Sequence, residues 1–198
     1  MKLAELFQKY KGQLVDWDAT AGAQCVDWVK IYLQECFGIK TKGKGTSPWG
    51  DAKNYWYDTP SVIFKHFGKI PYENGMQFLE GDIVVWNTGK CGHVAIATGK
   101  QDAHTFYTYD QNYGKDKSIR AVCHNRSDTI LGVLRPYRRV LWDVNIRTRP
   151  SISGNIIGEK KKGTSLMPLD LIVTEGDVAK WYRIGKGAYI AFKSLEVI

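Results

Sequence analysis

Gly81-Asp82-Ile83-Val84-Val85-Trp86 marks the point at which the sequence changes from helical to strand periodicity. Before it, apolar residues recur at helical spacing over residues 3–10 and 25–37. After it, short runs rich in β-branched and aromatic residues alternate with turns. The strands predicted in this region are Ile83–Trp86, Val94–Thr98, Thr105–Tyr109, Ile119–Cys123 and Ile130–Tyr137. Helices followed by an antiparallel meander indicate an α+β domain over residues 1–138.

The sequence changes again from about residue 140 onward, to short strands and turns. Strands this short and evenly spaced predict a small all-β barrel over residues 141–198. A linker is expected near Arg138 to Trp142, and it is short and not rich in Gly or Ser. Such a linker favours two halves that dock over two halves that tumble freely.

Composition limits the classes of protein that fit this chain. Its 198 residues are 43% hydrophobic and 13% aromatic, which is enough to build a core and argues against a disordered chain. The net charge of +8 favours an anionic partner, which is a nucleic acid, an acidic lipid or a wall bearing teichoic acid. Charge alone does not choose among them, and a basic surface without a partner remains open.

The N-terminus reads as an amphipathic helix rather than a signal peptide. Leu3, Leu6, Phe7 and Tyr10 recur at helical spacing with charged residues between them, and no uninterrupted apolar run follows. No segment approaches the length of a transmembrane helix. We therefore expect a protein made in the cytosol without a visible export route.

A candidate nucleophile stands at the predicted start of the second helix, in Ala23-Gln24-Cys25-Val26-Asp27-Trp28. A helix N-terminus supplies backbone N–H groups and a positive dipole end, and both lower a thiol pKa. Further along the chain, His93 opens an apolar strand and Asp110 lies in the next one. This order predicts a thiol hydrolase in which Cys25 attacks, His93 transfers protons and Asp110 orients the imidazole.

A fourth polar residue, Asn112, lies two positions beyond Asp110. On a continuous strand the two side chains would share a face, so Asn112 is predicted to support the imidazole or the oxyanion. The backbone N–H of Cys25 is the candidate oxyanion donor. Two other histidines have no comparable context, and they are His66 and His124.

The four cysteines are unevenly spaced and include no Cys-x-x-Cys pair, which argues against a disulfide scaffold or a zinc finger. Cys91 competes with Cys25 as the nucleophile because it lies two residues before His93. It lacks a helix N-terminus, however, which makes it the weaker candidate. Cys36 and Cys123 are expected to be buried or partly buried free thiols.

Four motifs in the first half agree in order and spacing with those of one family. They are Gln24–Trp28, Gly81–Trp86, Gly92–Ile96 and Asp110–Asn112. These segments resemble the CHAP family (cysteine, histidine-dependent amidohydrolase/peptidase) across residues 1–138. The resemblance implies a papain-like α+β fold that cleaves an amide bond of peptidoglycan, either N-acetylmuramoyl–L-alanine or a stem or cross-bridge peptide bond. Many members of the family have Glu where this chain has Asp110.

The segment Asp16–Asp27 has the oxygen spacing of an EF-hand loop, with donors at loop positions 1, 3, 5, 7 and 12. The candidate Ca²⁺ ligands are Asp16, Asp18, Thr20, Gly22 and Asp27. Position 6 is Ala21 rather than Gly and position 12 is Asp rather than Glu, and the alternative is a plain capping loop. Some CHAP endolysins resemble this arrangement and bind calcium there. The predicted ion is structural, because it would tether the chain on both sides of Cys25.

Residues 141–198 resemble a bacterial SH3-type domain. The segments that carry this resemblance are Asn145–Ser151, Ile157–Glu159, Lys161–Thr164, Trp181–Ile184 and Gly187–Ile190. Such modules usually bind cell walls, and exposed Trp and Tyr would supply rigid contact area. The alternative is that Trp181 and Tyr189 fill a small core.

Together these features predict a modular peptidoglycan hydrolase similar to a phage endolysin, which reaches the wall after release from the cytoplasm. Its expected partners are peptidoglycan and, by charge, teichoic acid, with neither nucleic acid nor membrane. One alternative is a non-catalytic wall-binding or phage structural protein that retains the fold. The other is a nucleic-acid binder, which would need a clustered basic face with aromatic platforms.

Overall fold

The computed structural model describes residues 1–41, 50–174 and 180–197, and the chain divides into two compact units, Met1–Arg135 and Pro136–Ile198. The described part is mostly β-sheet with few helices. The helices are α1 (Leu3–Tyr10), α2 (Cys25–Phe37) and α3 (Asn54–Tyr57). The strands of the first unit are β1 (Phe67–Pro71), β2 (Ile83–Trp86), β3 (His93–Gln101), β4 (Thr105–Asp110), β5 (Arg120–Asn125) and β6 (Ile130–Pro136).

Helix α2 is the central helix of the first unit. Eight of its residues from Cys25 to Leu33 are buried, and Gly38 ends it in the left-handed conformation with a φ of 68°. The Gly38 N–H donates to the carbonyl of Gln34 at 3.0 Å, which is the usual way of ending a helix at glycine. The Trp28 indole donates to the carbonyl of Tyr109 at 3.0 Å, so the helix is fixed directly to β4.

The described residues of the first unit form a six-stranded sheet in the order β1-β6-β2-β3-β4-β5. Strands β2 to β5 form the predicted antiparallel meander. The meander prediction is wrong for β6, which returns to pair antiparallel with β2. All four residues of β2 are buried, so this strand sits inside the sheet and needs a neighbour on each edge. Strand β1 was not predicted, because Gly68, Lys69 and Pro71 weaken its strand pattern.

Alternating residues of the sheet face two separate apolar clusters. Ile83 and Val85 belong to the cluster that contains residues of α1 and α2. Val84 and Trp86 belong to a second cluster with Phe106. In β4 every second residue is buried, ending with Asp110. The fold therefore presents a carboxylate at an inward position at the end of this strand.

The described residues of the second unit form the short strands β7 (Arg138–Val140), β8 (Val144–Arg147), β9 (Ile156–Lys160), β10 (Ser165–Leu166), β11 (Asp170–Val173), β12 (Lys180–Gly185), β13 (Ala188–Ala191) and β14 (Leu195–Val197). These strands pair into a three-stranded sheet in the order β10-β7-β14 and a five-stranded sheet in the order β11-β12-β13-β8-β9. Neither sheet closes on itself within the described residues, so the SH3-type barrel stays a prediction.

The linker predicted near Arg138 to Trp142 is in fact partly a strand. Strand β7 pairs antiparallel with both β10 and β14, and Arg138 and Val140 are buried on either side of exposed Arg139. This alternation is the pattern of a half-buried strand, and two adjacent arginines obscured it in the sequence. Trp181 is buried in this unit, whereas Tyr189 is half-buried. Across residues 1–41, 50–174 and 180–197, no helix is long and apolar enough to cross a membrane.

Candidate active site

Cys25 is the first residue of α2 and is 9% exposed. The preceding residue, Gln24, is extended, and its N–H donates to Oδ2 of Asp27 at 2.8 Å, which fixes the entry into the helix. The first N–H groups of a helix have no acceptor within the helix. The N–H of Cys25 is one of these groups, and it lies beside its own thiol.

His93 and Asp110 are brought together by the register of the sheet. His93 is the first residue of β3 and Asp110 is the last of β4. The His93 Nε2 atom lies 2.5 Å from Asp110 Oδ1, and the two side chains are 13% and 1% exposed. Burial favours a protonated Asp110, but hydrogen bonds from His124 and His93 outweigh it and lower the pKa of this carboxyl.

His93 is the residue that links the thiol to the carboxylate. Burial opposes its charge, but hydrogen bonds with Asp110 and Cys25 outweigh burial and raise the pKa of His93 to about 9. Because Nε2 faces Asp110, the Nδ1 atom is the ring nitrogen left for Cys25. The three side chains can therefore transfer a proton between the sulfur and the imidazole while the carboxylate fixes the ring.

Asn112 does not share a strand face with Asp110, so that prediction is wrong. Strand β4 ends at Asp110, and Asn112 has a φ of 60°, in the left-handed region that Asn tolerates better than most residues. Its Nδ2 donates to Oε1 of Gln24 at 2.7 Å. Asn112 thus contacts the residue before Cys25.

Gln111 is a site residue that the sequence argument missed. It is fully buried, and its Oε1 accepts from the Val15 N–H at 2.9 Å. Its Nε2 donates to the carbonyls of Val15, at 2.9 Å, and Gln24, at 2.6 Å. The side chain therefore ties both ends of the loop before α2 to the end of β4. Its position between Asp110 and Asn112 was the available signal, but sequence does not give the partners of a buried amide.

His124 is a second site residue that its sequence context did not indicate. It lies in β5 with 6% of its surface exposed, and its Nε2 is 3.0 Å from Asp110 Oδ2. The Thr108 hydroxyl donates to the same carboxylate oxygen. In β5 only Val122 and His124 are buried, and this two-residue alternation was a readable signal.

A cavity of about 220 Å³ lies against the two histidines. It is lined by Trp86, Thr88, His93, Tyr113, His124, Asn125, Ser127 and Thr129. Aromatic rings with a few converging polar groups are typical of a ligand site.

Cys91, the competing thiol, has a different environment. It is exposed, and its hydrogen bond with Asp51 raises its pKa, which disfavours the reactive thiolate. Cys123 is exposed rather than buried, because it occupies an outward position of β5, while Cys36 is partly buried as expected. All four cysteines are free thiols.

The predicted metal loop brings three carboxylates together. Oxygen atoms of Asp16, Asp18 and Asp27 lie within 4.8 Å of one another. The Lys30 ammonium pairs with Asp18 Oδ2, but Asp18 Oδ1 is buried without a hydrogen-bond partner. Burial raises the pKa of Asp27. A buried, unpartnered oxygen among carboxylates fits a hard cation such as Ca²⁺.

The two other predicted ligands of the loop have different surroundings. The Thr20 N–H donates to Asp16 Oδ1 at 3.0 Å, and its hydroxyl donates to the Asp18 carbonyl at 3.3 Å. Gly22 has a φ of 71°. These observations do not assign a ligand atom to either residue, so the roles of Thr20 and Gly22 as ligands stay predictions.

The chain was compared with protein families, curated proteins and solved structures. No protein of curated function matches the chain. It is similar to the crystal structure of the wild-type endolysin LysIME-EF1, with 22% identity, a TM-score of 0.52, and coverage of 93% of this chain and 76% of that one. It is also similar to Ly7917 bound to the hydrolysis product of MDP, with 19% identity, a TM-score of 0.46, and coverage of 94% and 89%. Residues 15–112, which contain Cys25, His93, Asp110 and Asn112, match the CHAP domain family.

Proposed function

We propose that this chain is a peptidoglycan hydrolase that cleaves an amide bond of the bacterial cell wall through a Cys25 thiolate. The single observation that carries the proposal is the buried His93–Asp110 pair, 2.5 Å apart, whose imidazole has a pKa raised by Asp110 and by Cys25 at the start of α2. The CHAP match over residues 15–112 supports peptidoglycan as the substrate class.

The reaction begins with attack of the sulfur on the amide carbonyl. As the S–C bond forms, the carbonyl π electrons move to oxygen, and the Cys25 N–H at the helix start would donate to that oxyanion. Since its raised pKa keeps His93 protonated at neutral pH, the imidazolium gives its proton to the leaving amine. The C–N bond then breaks and leaves a thioester on Cys25.

Hydrolysis of the thioester completes the cycle. Neutral His93 takes a proton from a water molecule, the resulting hydroxide adds to the thioester carbonyl, and the S–C bond breaks. A carboxylic acid leaves and the thiolate–imidazolium pair is restored. Throughout, Asp110 keeps the ring oriented and stabilises its charge.

Two features outside the chemistry complete the proposal. Asp16, Asp18 and Asp27 would hold a structural Ca²⁺ ion, which supplies positive charge that neutralises the loop before Cys25. The second unit is proposed to bind the wall, where the net charge of +8 also favours teichoic acid. The protein would then act on the wall after release from the cytoplasm.

The deciding experiment uses purified cell walls. The wild-type protein should release fragments whose new termini, read by mass spectrometry, identify the cleaved amide bond. Cys25→Ala should release none while giving an unchanged circular dichroism spectrum, and Cys91→Ala should retain most activity, because its thiol contacts Asp51 instead of His93. Full activity in Cys25→Ala would rule out the mechanism. A folded wild-type protein that binds walls and releases nothing would favour the non-catalytic alternative.

A further inference from the structure

The carboxylate of Asp110 lies between two imidazole rings. Its Oδ1 is 2.5 Å from His93 Nε2, and its Oδ2 is 3.0 Å from His124 Nε2. The side chain is 1% exposed, so water does not compete for either oxygen. The mechanism above uses the first contact and leaves the second without a role.

His124 is held in place by aromatic rings. The centroids of Tyr113, Trp86 and Phe106 lie 4.6, 4.9 and 5.7 Å from the centroid of its imidazole. It is also directly opposite Phe106 in the pairing of β4 with β5. A ring packed this way has little freedom to turn, so its Nε2 is a fixed point.

A fixed point of this kind matters because the last torsion of an Asp side chain is broad. The carboxylate of Asp110 can rotate about that torsion and move Oδ1 away from His93 unless Oδ2 is held. Thr108 also holds Oδ2, but it lies two residues away on the same strand and moves with Asp110. His124 belongs to the neighbouring strand and anchors the carboxylate from outside.

We propose that His124 is a positioning residue of the thiol hydrolase. Its hydrogen bond to Asp110 Oδ2 keeps Oδ1 in contact with His93, and this contact keeps the imidazole oriented toward Cys25. The role rests on the proposed function for its catalytic effect, but the orientation of the carboxylate can be measured without substrate. His124 also lies beyond residue 112, where the CHAP match ends, so the match does not assign it this role.

Three substitutions separate this role from packing. His124→Gln keeps an N–H donor near the position of Nε2. His124→Leu fills the space without a donor. His124→Asn keeps an amide that is too short to reach Oδ2, and it replaces the Leu variant if that protein does not fold. His104→Gln is the matched control, because His104 is exposed and does not contact Asp110.

The first measurement is the pKa of His93 by NMR of the histidine side chains, of which the chain has four. The titratable groups that face or contact His93 are Cys25, Asp110, His124 and Tyr113, and only His124 is changed. In His124→Leu the carboxylate turns away and the pKa of His93 falls below about 9. In His124→Gln and His104→Gln it stays near the wild-type value. An unchanged or higher pKa in His124→Leu overturns the proposal.

The second measurement is turnover on wall fragments. General acid–base catalysis contributes about 10²–10⁴-fold, so misorienting His93 should lower kcat at least about tenfold and leave KM nearly unchanged. His124→Gln should recover most of this loss. If His124→Gln is folded and as impaired as His124→Leu, the donor is not the relevant property and the proposal fails. If the wild-type protein cleaves no wall, the proposed function fails, and the NMR result still decides the role of His124.

Discussion

Gln111 and Gln24 are joined across 87 positions of sequence by a hydrogen bond of 2.6 Å, from the side-chain Nε2 of Gln111 to the main-chain carbonyl of Gln24. This bond connects the residue after the carboxylate to the residue before the thiol. The geometry of the proposed site therefore depends on an amide that takes no part in the chemistry.

Gln111→Ala should be one of the more damaging substitutions outside the Cys–His–Asp group. It removes the Gln111 partner of the Val15 N–H and carbonyl and one of the two hydrogen bonds to the Gln24 carbonyl, which keeps the Asp27 N–H, at a cost of about 2–4 kcal/mol in the free energy of unfolding. Denaturant unfolding measures this directly. Gln8→Ala is the control, because Gln8 is exposed and its loss should cost less than about 0.5 kcal/mol. Equal stabilities of the two variants would contradict the prediction.

Stability should fall at alkaline pH because of His93. Its pKa is raised from 6.5 to about 9 in the folded protein, so the stabilisation is complete below about pH 6.5 and is lost as pH rises through 9. Thermal unfolding between pH 6 and pH 10 should show this decline, and His93→Gln should lose that component of it. His104→Gln should keep the wild-type slope. Wall cleavage should decline over the same range as the imidazolium is lost.

Calcium should stabilise the first unit. Removal of the ion with EDTA should lower the melting temperature, and added Ca²⁺ should restore it, because the three clustered carboxylates otherwise repel one another. Asp16→Asn and Asp18→Asn should weaken the response, whereas Asp58→Asn, an exposed acid outside the cluster, should not. Identical melting curves with EDTA and with Ca²⁺, together with no heat of binding, would argue against the site.

Lys30 offers a sharper form of the same test. Its side chain is 3% exposed and its ammonium pairs with Asp18, so it supplies a positive charge within the cluster. Lys30→Met should therefore lower stability in EDTA and increase the rise in melting temperature on adding Ca²⁺. A smaller calcium response in Lys30→Met than in the wild type would mean that Lys30 supports ion binding instead of competing with it.

If the first unit catalyses and the second binds the wall, removing the second unit should affect lysis of intact walls and cleavage of soluble fragments differently. A chain ending at Tyr137 contains Cys25, His93 and Asp110, so it should keep its activity on soluble muropeptide. It should lose at least about tenfold in lysis of intact walls, because a second binding surface raises the effective concentration at the wall. Circular dichroism must first establish that the shortened chain folds.

The second unit alone, from Pro136, should sediment with purified walls and release nothing. The pull-down should be repeated at high salt, since diffuse attraction by a basic protein is screened there. Retention in the supernatant at every salt concentration would exclude wall targeting.

Periodicity was sufficient for most of the first unit. The strands β2 to β6 and the helices α1 and α2 were predicted within a few residues, because their buried positions recur regularly. It was insufficient where a strand carries charge or glycine, as in β7 and β1. Periodicity also does not predict which strands pair. The pairing of β6 with β2 depends on the burial of β2 inside the sheet, which periodicity alone does not give.

The candidate site divides in the same way. Cys25, His93 and Asp110 could be proposed from the sequence because each lies at the end of a helix or strand. Gln111 and His124 were not, because their roles depend on partners from distant segments. The position of Asn112 could not be predicted from alternation along a strand, because β4 ends at Asp110 and the backbone turns into the left-handed region at Asn112.

Two alanines of the loop before Cys25 adopt the left-handed backbone conformation. Ala19 and Ala21 have φ values of 56° and 64°, a conformation that costs a residue with a Cβ atom about 1 kcal/mol. Ala21 is also the position at which an EF-hand loop has glycine. The Cβ atoms of these two alanines therefore make the conformation of the loop less favourable than it would be with glycine. The loop offers a protein engineer a direct means of adjusting how readily the segment ahead of the thiol reaches its working shape, by exchanging a single methyl group for hydrogen.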